Sequence, residues 1–280
     1  MKWIVSGVIA AVCMCMGMGA MAQPSAWGRR CESQNVVRQS ANAPRQAQNA
    51  PAGAAPAEPC SDADAESEAV PMPVKARTIV IDPGHGGENE GAFGVARIHE
   101  KYLTLQIALL LADRLRVLMP DVEVVLTRYR DESLSLSERI EVANRLHADL
   151  FLSLHFNNSL NPDAIGFESF WAGDYWAADM VKAGVKITDE ERVAREQAGM
   201  GAERMAYCFN RAMRHRFEVL DRGVKTGDYT VLTRARVPAV VLEMAFLSHA
   251  SEGLSAVMPE YQSRLVQALS VAVVNYVRGM

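Results

Sequence analysis

The amino-acid sequence predicts an α/β protein in which a single three-layer domain places helices on both faces of a twisted, mostly parallel sheet. Beyond Lys75, short β-branched and aromatic runs alternate with amphipathic stretches over about 200 residues, which is typical of this fold class. Several of the short runs are apolar throughout, as expected of strands that are buried on both faces. The hydrophobic content of 49% is sufficient for a globular core.

The predicted strands are short and rich in valine, isoleucine, leucine or phenylalanine. They are Thr78–Ile81, Val122–Leu126, Leu150–Leu154, Gly166–Phe170 and Ala239–Leu242. Because helical stretches separate them, most neighbouring strands are expected to be parallel.

Three helices are predicted from apolar spacing and from start signals. The first covers Leu103–Leu118, the second is opened by a capping box of Ser135 and Glu138 and ends at Leu146, and the third covers Tyr261–Tyr276. The predicted core-facing residues are Leu105, Leu109, Ala112, Leu115 and Leu118 in the first helix, and Leu265, Leu269, Ala272 and Tyr276 in the third.

Residues 1–22 have the layout of a secretory signal peptide. Lys2 precedes an apolar run that ends in the small-x-small sequence Ala20, Met21, Ala22. The alternative is an uncleaved membrane anchor, because a run of about 20 apolar residues can span a bilayer. The small residues favour cleavage, which predicts a secreted protein of the periplasm or cell envelope with no transmembrane domain after cleavage.

Residues 23–76 are predicted to be a disordered, low-complexity linker. They are rich in alanine, proline, glutamine, asparagine and serine, and they lack the apolar periodicity that could offset the entropy of ordering. The folded domain is therefore predicted to span residues 77–280.

Composition argues against two kinds of site. The net charge of −4 gives no indication of nucleic-acid binding, which usually depends on a basic patch. None of the five cysteines lies in a CxxC pair, so a thiolate zinc site is not indicated either.

A glycine-rich loop holds the first candidate site residue. The segment Asp82–Gly87 directly follows a predicted strand, and a loop this tight presents its histidine, His85, instead of burying it in a core. The alternative is a phosphate-binding loop, but no helix begins just after it and no Lys-Ser/Thr pair follows. His85 is therefore predicted to be a metal ligand.

Two further candidate ligands are His155 and Glu100. A histidine at the edge of a buried strand is by itself more often structural, but His155 and His85 would project into one crevice from two parallel strands. Glu100 opens a predicted helix, where a carboxylate can also simply oppose the helix macrodipole. Together the three form a set used by catalytic zinc sites, and Glu100 is preferred to His99, which is expected on the other side of the helix start.

Glu243 ends a strand that is otherwise apolar. A carboxylate there is costly to desolvate unless it is paired or used, and burial raises its pKa. The alternative is a salt bridge with a nearby arginine or lysine. We predict that Glu243 is a general base that takes a proton from the attacking water and returns it to a leaving amine.

Taken in order, the motifs around these residues resemble those of the zinc-dependent N-acetylmuramoyl-L-alanine amidases with a type-3 catalytic domain. The resemblance extends from Thr78 to Tyr276. The segments that carry it include Ile81–Gly87, Glu100–Lys101, Leu126–Arg128, Arg139, Ser153–Asn157, Asp221–Lys225 and Leu242–Ser248. Phe156 and His249 depart from the family pattern, at positions that affect the shape of the cleft.

The resemblance implies a phosphorylase/hydrolase-like domain in which His85, Glu100 and His155 bind Zn²⁺ and Glu243 is the catalytic carboxylate. It implies hydrolysis of the amide bond between the lactyl group of N-acetylmuramic acid and L-alanine of the stem peptide, in cell separation or wall turnover. Peptidoglycan is the expected partner, and a monomer is expected.

Residues 171–201 form a charged segment with the start signal of a short helix. In some relatives that the chain resembles, a helix here covers the zinc cleft and a glutamate blocks the metal until an activator protein displaces it. The hypothesis for this chain concerns Glu190, Glu191 or Glu196, and the alternative is a solvated surface helix.

Two other functions are compatible with parts of this pattern. A zinc peptidase that cuts within the stem peptide would use the same four residues, so only the family resemblance separates it from an amidase. A wall-binding protein with an inactive site would need one of the four residues to be lost, and all four are present.

Overall fold

The computed structural model describes residues 78–279, so the predicted signal peptide (residues 1–22) and linker (residues 23–76) lie outside the described part. The strands are β1 Thr78–Pro83, β2 Glu123–Leu126, β3 Leu150–Asn157, β4 Phe167–Trp171, β5 Asp221–Thr226 and β6 Ala239–Phe246. The helices are α1 Glu100–Leu118, α2 Leu136–Leu146, α3 Tyr175–Lys182, α4 Asp189–Arg214, α5 Thr230–Thr233, α6 Ala250–Ser255 and α7 Pro259–Arg278. Among residues 78–279, no helix is both long and apolar enough to cross a membrane.

The six strands form one sheet in the order β2-β1-β3-β6-β4-β5. Four of the five strand pairs are parallel, and β4 runs antiparallel to β6. The predicted fold class is therefore confirmed, as are all five predicted strands. The sixth, β5, was not predicted because its sequence is mostly polar, and none of its residues is buried in the structure.

Alternate residues of the central strands pack into two separate cores. Ile79 and Ile81 of β1 lie in the core formed with α1, α4 and α7, whereas Val80 lies in the core formed with α2 and α5. Leu152 and Phe151 of β3 divide in the same way. This arrangement explains why these strands are apolar at every position.

Only part of the predicted core-facing set of α1 is confirmed. Ala112 and Leu115 are fully buried, whereas Leu105 is half-buried and Leu109 and Leu118 are 37% and 41% exposed. Leu103, Ile107 and Leu111 are buried instead. Apolar residues occur on every side of this helix, so their spacing does not single out one face. In α7, by contrast, the predicted set Leu265, Leu269, Ala272 and Tyr276 is buried, which confirms that prediction.

The predicted capping box at the start of α2 is present. Ser135 Oγ accepts a hydrogen bond from the Glu138 backbone N–H at 3.2 Å, and the Glu138 carboxylate accepts one from the Ser135 N–H at 2.8 Å. These two bonds satisfy amide groups that have no partner within the helix.

Ser135→Ala is expected to lower the free energy of unfolding by about 1 kcal/mol, because the N-cap acceptor is lost. Urea denaturation monitored by circular dichroism measures this change. A matched control is Ser263→Ala on α7, where the hydroxyl accepts only a 3.5 Å hydrogen bond from Gln267. Equal effects of the two substitutions would contradict the capping role.

Residues 171–201 are part of the fold rather than an insertion with its own short helix. They hold α3 and the first half of α4, which continues without a break to Arg214. Further along α4, Ala202, Met205 and Phe209 are buried in the core beneath the sheet. The predicted start signal is confirmed, because the Thr188 side chain caps α4 by accepting a hydrogen bond from the Glu191 N–H at 3.2 Å. The predicted short length was wrong, because the turns of α4 after the charged first turns are amphipathic and continue the helix to Arg214.

Candidate active site

Three polar side chains meet where β1 and β3 reach their carboxyl ends. His85 Nε2 lies 3.0 Å from Glu100 Oε2, His155 Nδ1 lies 3.1 Å from Glu100 Oε1, and the two ring nitrogens are 3.2 Å apart. One ligand atom from each residue lies within 4.8 Å of the others, as a metal ion would require. The three side chains predicted as ligands are thus brought together.

The loop after β1 presents the ring of His85. This residue has φ 60°, an unusual backbone conformation for a residue with a side chain. Its Nδ1 lies 2.8 Å from Asn89 Oδ1. An N–H that donates to this oxygen leaves the lone pair of the ring on Nε2, which faces the cluster.

The carboxylate of Glu100 is oriented by backbone amides. It is 3% exposed, and its oxygens accept hydrogen bonds from the N–H groups of Phe156 at 2.9 Å and Ala92 at 3.0 Å. His99, the competing candidate, turns away: its ring packs against Phe93, and its Nε2 lies 3.5 Å from Glu90. The geometry therefore agrees with the choice of Glu100 over His99.

Close contact within the cluster changes the pKa of its members. Burial raises the pKa of Glu100, but hydrogen bonds and charge from His155 and His85 outweigh burial and hold the pKa well below its ordinary value. Burial lowers the pKa of His155, and the carboxylates of Glu100 and Glu243 more than reverse this effect. The cluster thus favours an ionised carboxylate between two imidazoles.

Glu243 lies on β6 directly opposite His155 in the parallel register. Its Oε2 is buried and has no hydrogen-bond partner among the described residues. Burial raises the pKa of Glu243 to about 7, and the charges of His155, Glu100 and Glu168 modify this shift. Within residues 78–279 Glu243 forms no salt bridge of the kind considered as an alternative, so no arginine or lysine there holds its carboxylate in the ionised form.

All four residues line one cavity of about 560 Å³. Its other walls come from the loop after β1, from the start of α2, from the end of β3 and from the start of α5. These wall residues include Asn89, Leu136, Phe156, Asn157, Tyr229 and Val231. Such a cavity at the carboxyl ends of parallel strands is the usual place for a reactive site.

Arg139 stabilises the loop that carries His85, a role that was not predicted. The side chain is 2% exposed, and its guanidinium donates to Asp82 Oδ1 at 2.9 Å and to the carbonyl oxygens of Pro83 at 2.8 Å and His85 at 2.6 Å. It therefore ties the backbone of His85 to the end of β1.

Arg128 binds the same loop from a second direction. It is fully buried, and it donates to the carbonyl oxygens of Pro83 at 2.9 Å, Gly84 at 2.8 Å and Lys101 at 2.9 Å. Burial, reinforced by the charge of Arg139, lowers the pKa of Arg128 to about 10. The sequence gives little sign of these contacts, since a lone arginine after a strand is more often exposed.

Gly84→Ala is expected to weaken metal binding at least tenfold, because a Cβ at residue 84 would lie 2.3 Å from the ring of His155. The ring would have to leave the cluster, and displacing a ligand or its support costs about 10- to 100-fold in affinity. Titration of the metal-free protein with a zinc-chelating dye as competitor measures the loss.

The matched control is Gly199→Ala in α4, where the nearest atom to the new Cβ would be 3.4 Å away on Trp171. This substitution is expected to leave metal affinity unchanged. If Gly84→Ala bound the metal as tightly as the wild type does, this result would contradict the close approach of Gly84 to the ring of His155.

The glutamates of residues 171–201 do not reach this cavity. Glu191 pairs with Arg195 at 3.3 Å, and Glu196 pairs with Arg192 at 2.9 Å, and both pairs lie within α4. No residue of the segment lines the cavity. The hypothesis that Glu190, Glu191 or Glu196 blocks the metal was therefore wrong for this structure, because α4 packs beside the sheet and not across its carboxyl ends.

Comparison with known proteins identifies the family. The family model described as N-acetylmuramoyl-L-alanine amidase matches residues 79–275. The chain belongs to this amidase family. The predicted family and the predicted class of enzyme, a hydrolase, are thereby confirmed.

Individual relatives agree with this assignment. This amidase is 29% identical to an uncharacterized protein of Bacillus subtilis, YqiI, in a match that covers 73% of the chain and 86% of YqiI. It is 32% identical to the N-acetylmuramoyl-L-alanine amidase LytC of the same organism, over 74% of the chain but 36% of LytC. An N-acetylmuramoyl-L-alanine amidase structure from Clostridium difficile has a TM-score of 0.60 at 30% identity, and the match covers 72% of this chain and 97% of the other.

Proposed function

We propose that this amidase uses a zinc ion held by His85, Glu100 and His155 to hydrolyse the bond between the lactyl group of N-acetylmuramic acid and L-alanine in peptidoglycan. The observation that carries the proposal is the position of Glu243. Glu243 is half-buried, its Oε2 atom is buried without a hydrogen-bond partner among the described residues, and the side chain lines the same cavity as the three candidate ligands. Membership of the amidase family indicates which bond is hydrolysed and in which substrate.

The donor atoms fit zinc. Two imidazole nitrogens and one carboxylate oxygen form a set found in catalytic zinc sites, which leave further positions for water and substrate. The cavity beside them provides that space. When bound, zinc polarises the scissile carbonyl and lowers the pKa of the attacking water.

Glu243 performs the proton transfers. Its partner-free Oε2 accepts a proton from the attacking water, and the same carboxyl group then donates a proton to the amine of L-alanine as the amide bond breaks. A pKa near neutrality suits both steps, because the group must be deprotonated for the first and protonated for the second.

The reaction takes place outside the cytoplasm, since peptidoglycan lies there. Residues 1–22 would be a cleaved signal peptide, residues 23–76 a flexible linker, and the domain of residues 77–280 would work as a monomer in the periplasm or cell envelope. If an activator protein acts on residues 171–201, it acts without displacing a glutamate from the metal, because the side chains there face other partners.

Digestion of purified cell-wall sacculi tests the proposed function. The purified chain should release intact stem peptides that begin with L-alanine, identified by mass spectrometry, and a chelator should stop the release. Zinc added back after dialysis should restore it. Peptides that lack L-alanine at the amino end would identify a peptidase instead, and binding to sacculi without release would identify a wall-binding protein.

A further inference from the structure

A β-bulge in β5 turns two cationic side chains toward the face of the sheet that carries Glu243. Phe167 of β4 pairs with Asp221 of β5, and the next pair is Ser169 with Val224, so a step of two residues along β4 matches a step of three along β5. Gly223, in this stretch of β5, has φ 88°. In a regular strand, Arg222 and Lys225 would point to opposite faces. With the bulge, both reach the same carboxylate.

That carboxylate belongs to Glu168, which is 5% exposed. Its Oε2 accepts hydrogen bonds from Arg222 Nε at 3.2 Å and from Lys225 Nζ, and its Oε1 accepts one from Asn157 Nδ2 at 2.6 Å. One carboxylate thus lies between two cations. The cluster of Glu168, Arg222 and Lys225 carries a net charge of +1.

The cluster lies beside the proposed catalytic residue. Glu168 is directly opposite Glu243 in the antiparallel register of β4 and β6, and the Cβ atoms of such pairs are about 4.5–5.5 Å apart on one face. Asn157, which is bonded to Glu168, lines the cavity. The cations are therefore at the edge of the site.

The two cations are held in place but remain accessible. The side chains of Arg222 and Lys225 are 33% and 40% exposed. Arg222 lies over the ring of Phe246 at 5.0 Å, and Lys225 lies over the ring of Phe170 at 5.7 Å. Aromatic faces restrict such side chains without using all of their N–H donors.

We propose that Arg222 and Lys225 form a subsite that binds a carboxylate of the peptide leaving group, which rests on the proposed function. In an extended peptide, a carboxylate on the α-carbon of the residue that follows L-alanine lies roughly 7 Å from the scissile nitrogen. Both cations bind Glu168, which lies directly opposite Glu243, so they lie within reach of such a carboxylate when the amide bond is at Glu243. The subsite recognises this carboxylate by charge and hydrogen bonding, and an amide in its place binds more weakly.

Two synthetic N-acetylmuramoyl tripeptides that differ only in a free carboxylate or an amide at this position test the proposal. The wild-type protein should cleave the acid with a kcat/KM about 10- to 100-fold higher than the amide, as expected for a hydrogen bond to a charged group. The difference should lie mainly in KM, and it should decrease as sodium chloride is raised, because the cations are partly exposed.

Variants then assign the preference to these residues. Lys225→Met and Arg222→Gln should each reduce the preference by lowering activity on the acid far more than on the amide, while Lys225→Arg should retain most of it. Lys186→Met, the same substitution at an exposed position away from the cavity, should behave like the wild type.

The outcomes separate this proposal from the function on which it rests. Equal cleavage of acid and amide by the wild type would overturn the subsite and leave the amidase intact, and so would variants that lose both activities in proportion. Cleavage of neither compound, together with inactivity on sacculi, would overturn both. The salt dependence of the wild-type preference decides the matter even if a variant does not fold.

Discussion

Glu243→Gln should lower kcat on peptidoglycan by about 10²- to 10⁴-fold, the usual contribution of a general acid–base group. Glutamine has nearly the same shape and fills the same half-buried position, but it cannot take up a proton as a carboxylate does. The three candidate ligands would keep their contacts, since these contacts join His85, Glu100 and His155 to one another and do not involve Glu243. Zinc content, measured by atomic absorption, should therefore remain near one per chain while activity is lost.

A matched control is Glu218→Gln, at an exposed position between α4 and β5. It is expected to leave both activity and zinc content unchanged. If Glu243→Gln kept more than about a tenth of the wild-type kcat, proton transfer would have to be assigned to another group. If it lost zinc instead, Glu243 would contribute to metal binding.

The central part of the fold was predictable because strong local signals agreed with tertiary packing. The strands β1, β3 and β6 are apolar at nearly every position, so they are stable only in the middle of a sheet that is covered on both faces. The capping box fixes the residue at which α2 begins. The core-facing side of α1 and the extent of α4 were not predictable. In α1 the apolar residues surround the helix, and in α4 charged first turns precede a face that is apolar only because the sheet lies beneath it.

The site divides in a similar way. His85, His155 and Glu243 stand at the ends of predicted parallel strands, and the geometry of such sheets brings strand ends together. The contacts that hold His85 depend on residues more than forty positions away, as in the bonds from Arg128 and Arg139. The bulge that turns Arg222 and Lys225 to one face depends on the register with β4. No local pattern encodes either feature.

Arg139→Met should lower the free energy of unfolding by about 3–5 kcal/mol, because it leaves the buried carboxylate of Asp82 without its ion-pair partner. Asp82 is 1% exposed and retains only hydroxyl donors, at 2.6 Å from Thr127 and 2.8 Å from Ser153. The carbonyl oxygen of His85 also loses its donor, so metal affinity should fall as well.

A double-mutant cycle in urea denaturation tests this ion pair. Asp82→Asn removes the buried charge, so the double variant should lose much less free energy of unfolding than the sum of the two single variants, with a coupling of about 1–3 kcal/mol.

Arg139→Lys keeps a positive charge for Asp82 but cannot donate to all three oxygens at once. Its stability and its metal affinity should therefore lie between those of the wild type and those of Arg139→Met. Additive effects of Asp82→Asn and Arg139→Met would mean that the ion pair does not stabilise the loop. If Arg139→Met lost stability but kept its zinc affinity, the contact of His85 with Asn89 and the bonds of Arg128 to the neighbouring carbonyl oxygens would be sufficient to position His85.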